Sequence, residues 1–168
     1  MTWRGSVTTA DRIFAALPYL LPLVGAVVAG QTFFQFISDQ LPALSPLVAL
    51  LYLLISPVLL VYGLVPGGFG SLLVFFLLLF LVVRNPNISH FIRFNTMQAI
   101  LIGFIISICM LLIDLVSGIP GLSLIIETFL NVLFLGGLVA VFYSVAQSLM
   151  GRYAEIPTIS EAVYMQVR

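Results

Sequence analysis

Residues 84–116 read RNPNISHFIRFNTMQAILIGFIISICMLLIDLV, and this stretch decides the fold. It opens with a polar connection holding Arg84 and Arg93 and closes near a single acid, Asp114. No residue from 94 to 113 carries a charge. A helix rises 1.5 Å per residue, so about 20 such residues cross a hydrocarbon core of ~30 Å. A polar, basic start followed by an apolar body of that length describes a crossing helix with its arginines at one interface.

The rest of the chain has the same character. Of 168 residues, 62% are hydrophobic and 7% are charged, with a mean hydropathy of +1.25. Soluble domains carry roughly 25% charged residues, so this chain is too poor in charge to cover a water-facing surface. It reads as an all-α integral membrane protein. Its formal charge is zero, six arginines against six acids, which excludes a strongly basic nucleic-acid binder. No cofactor motif and no cluster of catalytic side chains is present, so neither an enzyme nor a prosthetic group is expected. Cys109 and His90 are each the only residue of their type, and a metal site needs three or four convergent ligands.

Five apolar runs stand out, at 13–30, 47–65, 69–83, 97–116 and 122–150. The arginines decide how many cross. Arg4 and Arg12 precede the first run, Arg84 and Arg93 follow the third, and Arg152 and Arg168 follow the fifth. Five crossings would split them between two sides. Four crossings place all six on one cytoplasm-equivalent side, with both termini, as the positive-inside bias requires. The segment expected not to cross is 41–65. Pro42, Pro46 and Pro57 lie in it and Pro66-Gly67-Gly68 follows, which suits a re-entrant or interfacial hairpin. The expected crossings are then 13–30, 69–83, 97–116 and 122–150. The rival reading is a kinked crossing at 47–65 with 69–83 on the surface. Arg4 and Arg12 before an apolar run also have the outline of a signal peptide, but Pro18 and Pro22 interrupt it.

Within lipid, helices pair closely where small residues repeat four apart. Gly136, Ala140, Ser144 and Ser148 form such a stripe, and Ala99, Gly103 and Ser107 form another. The first run offers Gly25 with Ala29 and Ala26 with Gly30. Packing inside the bundle is the simpler reading of these faces, and docking against other subunits is the alternative. Asp114, Glu127 and Asn131 lie near the arginine-free side and suggest either a polar path or acids reaching the interface.

The connection 84–96 reads as amphipathic. Asn85-Pro86 ends one helix, Asn87 or Ser89 caps the next, and Ile88, Phe91 and Ile92 recur at helical spacing. Arg84 is placed to snorkel to lipid phosphates, and Arg93 either does the same or clamps a partner carboxylate. Asn95 and Gln98 join these as expected partner or lipid contacts. The tail 151–168 carries Ile156, Ile159, Val163 and Met165, with Ser160 and Glu161 able to open a short helix, and it reads as a docking segment.

Three blocks carry a resemblance. They are Arg84-Asn85-Pro86-Asn87 with Phe91-Ile92-Arg93-Phe94-Asn95-Thr96-Met97-Gln98-Ala99, the tail Glu155-Ile156-Pro157-Thr158-Ile159-Ser160-Glu161-Ala162, and the opening Ala15-Ala16-Leu17-Pro18-Tyr19-Leu20-Leu21-Pro22. Together they resemble the twenty-kilodalton subunit of the translocon at the inner envelope membrane of chloroplasts, with its cyanobacterial and plastid-encoded relatives. The resemblance implies four transmembrane helices, no enzymatic activity and no cofactor. It implies membrane lipids, other membrane subunits and a translocating polypeptide as partners, and helices that help form a conducting path. It also implies a cyanobacterial or plastid inner-envelope membrane, with both termini on the cytoplasmic or stromal side. Where relatives are expected to carry an acid shortly after the Met-Gln-Ala block, this chain has Gly103. A non-conducting accessory or assembly subunit of a larger complex is the alternative function.

Overall fold

Among residues 7–167, which the computed structural model describes, every regular element is helical. Arg4, Ser6 and Arg168 lie outside the described residues. The first crossing-length unit is Thr9–Ala29, built from α1 (Thr9–Ala16), a tight turn at Leu17–Tyr19 and α2 (Leu20–Ala29). Thr8 opens α1 with a reciprocal cap: its Oγ1 accepts from Asp11 N at 3.1 Å, and its N–H donates to Asp11 Oδ2 at 2.9 Å. The tight turn absorbs Pro18, which has no N–H to give. After Gly30 comes α3 (Gln31–Gln40), a short amphipathic helix that buries Phe34 and Ile37 and exposes Gln35 and Asp39.

The next helix corrects an expectation. Residues 42–63 form no broken hairpin. They make one helix of crossing length, a turn at Pro42–Leu44 leading straight into α4 (Ser45–Gly63). Pro57 sits inside α4 and cannot donate to the Leu53 carbonyl four residues earlier. The Ser56 hydroxyl donates to that same oxygen at 2.8 Å, so the ladder stays satisfied. The break comes later, at Pro66–Gly68, where Gly67 and Gly68 adopt φ of 76° and 78°.

The helix that follows, expected to cross at 69–83, is the short one. It comprises α5 (Gly70–Leu77) and a wider turn at Leu78–Val83, together about 21 Å long against the ~30 Å core. It begins where Gly70 lies against the Tyr62 backbone, too close for any Cβ. It then descends antiparallel along α6 (His90–Val116), with Phe75 on Phe104 at 5.5 Å between ring centroids and Val83 beside Arg93. Tyr62 and Ser71 share a cavity wall with Gly103 and Ser107, the middle of α6. Thus α4 ends and α5 begins beside the middle of α6.

Ser89 caps α6, its Oγ accepting from Ile92 N, so the amphipathic stretch of the 84–96 connection becomes the first turn of a helix running to Val116. After a short turn, α7 (Ser123–Leu149) returns. It ends in a left-handed Gly151 (φ 73°) whose missing side chain leaves room for the Arg12 guanidinium. The core is apolar and closed: Leu23, Val27, Ile106, Phe134 and Val141 fill it.

The tail folds back onto this chain. It carries α8 (Ile159–Gln166), with Val163 and Val167 buried against Phe94, Met97 and Ile100. Its turn is at Thr158, the one described non-glycine residue with positive φ (68°).

Candidate functional site

The four described arginines lie at one end of the bundle, Arg12 against Gly151, Arg152 next to that glycine in the chain, Arg84 just after Val83 and Arg93 bonded to Val83. That end also holds a buried polar chain drawn from four segments. The Tyr19 hydroxyl donates to Asn95 Oδ1 at 2.9 Å, and Asn95 Nδ2 donates to the Phe91 carbonyl at 2.8 Å. Ser148 Oγ lies 2.9 Å from Asn95 Oδ1 and 2.8 Å from the Ser144 carbonyl, its hydrogen shared between them. Gln98 Nε2 donates to Ser144 Oγ at 3.4 Å, and Ser160 Oγ reaches Gln98 Oε1 at 3.5 Å. Ser160 also accepts from Ile156 N at 2.7 Å. Asn95, Gln98, Ser144 and Ser148 are fully buried. In a low-dielectric interior each such group needs a partner, and four of these bonds, Tyr19–Asn95, Ser148–Asn95, Gln98–Ser144 and Ser160–Gln98, run between different elements. Beside the chain, His90 Nδ1 lies 3.1 Å from the Tyr153 hydroxyl and Nε2 lies 3.3 Å from the Val167 carbonyl. Donation from Nε2 leaves Nδ1 to accept from tyrosine.

This arrangement corrects the sequence reading at several residues. Asn95 and Gln98, expected at a partner or lipid surface, are internal, because only there do Tyr19 and the serines satisfy them. Arg93 is turned inward: its Nε donates to the Val83 carbonyl at 2.8 Å and ties the end of the wider turn after α5 to the start of α6. Arg84 is exposed, its guanidinium 5.9 Å from the Phe80 ring centroid. Both arginines line a cavity of about 310 Å³ beside Met165 and Gln166.

The stripe on α7 holds at Ser144 and Ser148 and is off by one residue at Gly136 and Ala140. A Cβ at Gly136 meets nothing, whereas one at Gly137 comes within 2.8 Å of Ala26. The packed face is therefore Gly137, Val141, Ser144 and Ser148, all buried, while Ala140 is half-buried. Ala99 is buried in the core, a Cβ at Gly103 would lie 4.0 Å from Pro22, and Ser107 is exposed on a cavity wall. Of the first-run pairs, Ala26 and Gly30 both meet α7, at Gly137 and Phe134.

Asp114 and Glu127 are exposed on the outer surface, so they do not line a path through the bundle. Asn131 is half-buried with its Oδ1 unpartnered among the described residues. Tyr19, Ser160 and Gly137 are the participants that sequence reasoning missed. Tyr19 follows a proline and looks like an interfacial aromatic, and Ser160 looks like a helix-opening residue.

Crossing-length helices, a closed apolar axis and polar groups gathered at one end define a compact polytopic membrane protein built from α-helices alone among its described residues. No described cluster of His, Cys, Asp or Glu has the makings of a metal site. The chain belongs to the family described as chloroplast import apparatus Tic20-like, whose model matches residues 9–163. It is 46% identical to a Tic20 family protein of Synechocystis over 159 residues, covering 94% of this chain and 93% of that relative. It is 32% identical to Protein TIC 20-v, chloroplastic, of Arabidopsis thaliana, covering 96% of this chain and 73% of the relative. Against the Tic20 family protein Ycf60 of Gracilaria tenuistipitata var. liui the identity is 33%, with 96% and 77% covered.

Proposed function

We infer that this chain is a membrane-embedded subunit of a protein translocon, in a cyanobacterial membrane or a plastid inner envelope. The observation that carries the reading is family membership across nearly the whole chain. We further propose that one copy supplies a wall of the conducting path and does not enclose it. Leu23, Val27, Ile106 and Phe134 fill the axis, and Asp114 and Glu127 point outward, which supports a path completed by other subunits. The closed core also favours the second reading, an accessory subunit that serves assembly.

The proposed topology has four crossings: α1 with α2, α4 followed by α5, α6, and α7. The arginine-bearing end then faces the cytoplasm or stroma, with both termini, as the positive-inside bias requires. The test is photocrosslinking from single positions on α4, α6 and α7 to a precursor arrested in transit, in membranes carrying the intact complex. Crosslinks from one face of the bundle support the wall. Intact co-purification with other subunits but no crosslink from any face selects the accessory role.

A further inference from the structure

Two cavities open between the first crossing unit and the α4–α5 pair, and their walls meet at Leu21. The outer one, about 610 Å³, starts at the arginine-bearing end with Asp11, Asn87 and Ser89. It runs inward past Phe14, Leu17, Val74 and Leu78. The inner one, about 370 Å³, lies at mid-depth between Pro22, Tyr62, Phe75 and Gly103. Hydrogen-bonding groups thus gather at the mouth and apolar surface follows. From Thr96 to Ser107 the cavities accompany α6 for roughly 16 Å, which is the depth of one leaflet.

Thr96 points to an occupant. It lines the outer cavity, is fully buried, and its hydroxyl has no hydrogen-bond partner among the described residues. Buried hydroxyls are bonded as a rule, so this one is a donor with its acceptor missing. It lies seven residues beyond Ser89, about 10 Å deeper than the mouth. An ester carbonyl of a glycerolipid sits below its headgroup in the same way.

The shape and the charge narrow the choice. An extended peptide brings an N–H and a C=O per residue, which walls of Phe, Leu and Val leave unsatisfied. An acyl chain brings neither. At the mouth the only charged lining residue is the Asp11 carboxylate, and no described arginine lines either cavity. Ser89 Oγ donates to Asp11 Oδ1 at 3.3 Å, so sugar hydroxyls would donate to Asp11 and Ser89 and pair with Asn87, whereas a phosphate would face a like charge.

We propose that this groove holds one glycerolipid with a neutral, hydroxyl-rich headgroup, its sugar at Asp11, Asn87 and Ser89, its ester carbonyl on Thr96 and an acyl chain reaching Tyr62 and Gly103. The proposal is independent of whether the chain conducts a polypeptide.

The experiment is native mass spectrometry of the full chain in nanodiscs containing equal parts of monohexosyl diacylglycerol, phosphatidylglycerol and phosphatidylcholine. The expected result is one retained monohexosyl lipid per chain. Thr96→Val, which keeps the shape and removes the hydroxyl, should lower its affinity about fivefold, the loss of one neutral hydrogen bond. Val74→Trp fills the shaft and should abolish retention. As a fold control, both variants should melt like the wild type in detergent without lipid, and only the wild type should gain full thermal protection from added monohexosyl lipid. Preferential retention of phosphatidylglycerol, no selectivity, or wild-type retention by Val74→Trp overturns the proposal.

Discussion

Ser56 and Leu53 are joined by a hydroxyl-to-carbonyl hydrogen bond of 2.8 Å, and the carbonyl concerned is the one Pro57 leaves without a backbone donor. A proline in a helix interior removes a ladder bond and costs about 3 kcal/mol in water. Within lipid no water replaces the missing donor, so a neighbouring hydroxyl decides whether the helix continues. Ser56→Ala should therefore expose the weakness. The expected outcome is a loss of about 1–2 kcal/mol and greater protease access to α4, with Ser45→Ala as a milder control. Thermal unfolding in detergent reads the difference. Equal behaviour of the two variants would remove the role assigned to Ser56.

The α7 packing face makes a prediction at adjacent glycines. A methyl group at Gly137 would sit 2.8 Å from the Ala26 side chain, and one at Gly136 would meet nothing within 4 Å. Gly137→Ala should force α2 and α7 apart and destabilise the bundle. Gly136→Ala should be neutral or stabilise by up to about 1 kcal/mol, since alanine is the better helix former. Aggregation temperature in one detergent separates them, and the reverse order would disprove the register.

That register shows why part of the site was illegible in the sequence. Four residues turn a helix by about 400°, so a strict four-residue repeat drifts by about 40° per step. Over the three steps from Ser148 back to Gly136 the drift is about 120°, enough to leave the packed face. Gly137 is eleven residues from Ser148, and eleven residues close three turns to within about 20°. The gathering of Arg12, Arg84, Arg93 and Arg152 at one end of the bundle was readable because it depends only on where the apolar runs begin and end. The continuity of α4 was not, because it depends on which way one serine hydroxyl turns. The polar chain was hidden too: Tyr19, Asn95, Ser148 and Ser160 meet only after three helices and the tail are in place.

Asn95 joins the first crossing unit to α7, accepting from Tyr19 and Ser148 on one oxygen. Asn95→Ala leaves both hydroxyls without that acceptor. Interhelical hydrogen bonds in membranes are individually modest, so a cost of about 1–2 kcal/mol is expected. Ser148→Ala should cost less, because Tyr19 keeps its partner. The double variant should show less than the sum, since the two residues share one bond. Full additivity, measured by denaturation in mixed micelles, would argue against a shared network.

The topology is open to direct labelling. Single cysteines at Thr9, Asp39, Asn87 and Gln166, each in a Cys109→Ser background, are all placed at exposed positions. If α4 and α5 together make one crossing, Thr9, Asn87 and Gln166 should react from one side and Asp39 from the other. Should Asn87 label with Asp39, α4 and α5 each cross and the arginine-based parity fails.

Arg93 and Arg84 share a cavity wall but are held differently, and lysine should distinguish them. Arg93 uses its Nε to bond the Val83 carbonyl at 2.8 Å, which fixes the wider turn Leu78–Val83 after α5 on the first turn of α6. Lysine keeps the charge and lacks a donor at that point of the side chain. Arg93→Lys should therefore insert and orient normally, while the end of α5 loosens and assembly with partner subunits weakens. Arg84 is exposed over the Phe80 ring, and a snorkelling anchor needs its charge more than its fork. Arg84→Lys should be close to wild type. Co-purification of the complex at equal expression, together with proteolysis at residues 84–89, reads both effects. Wild-type behaviour of Arg93→Lys alongside failure of Arg84→Lys would reverse the two roles, and the contact to Val83 would then be a by-product of packing and not the tie that holds α5.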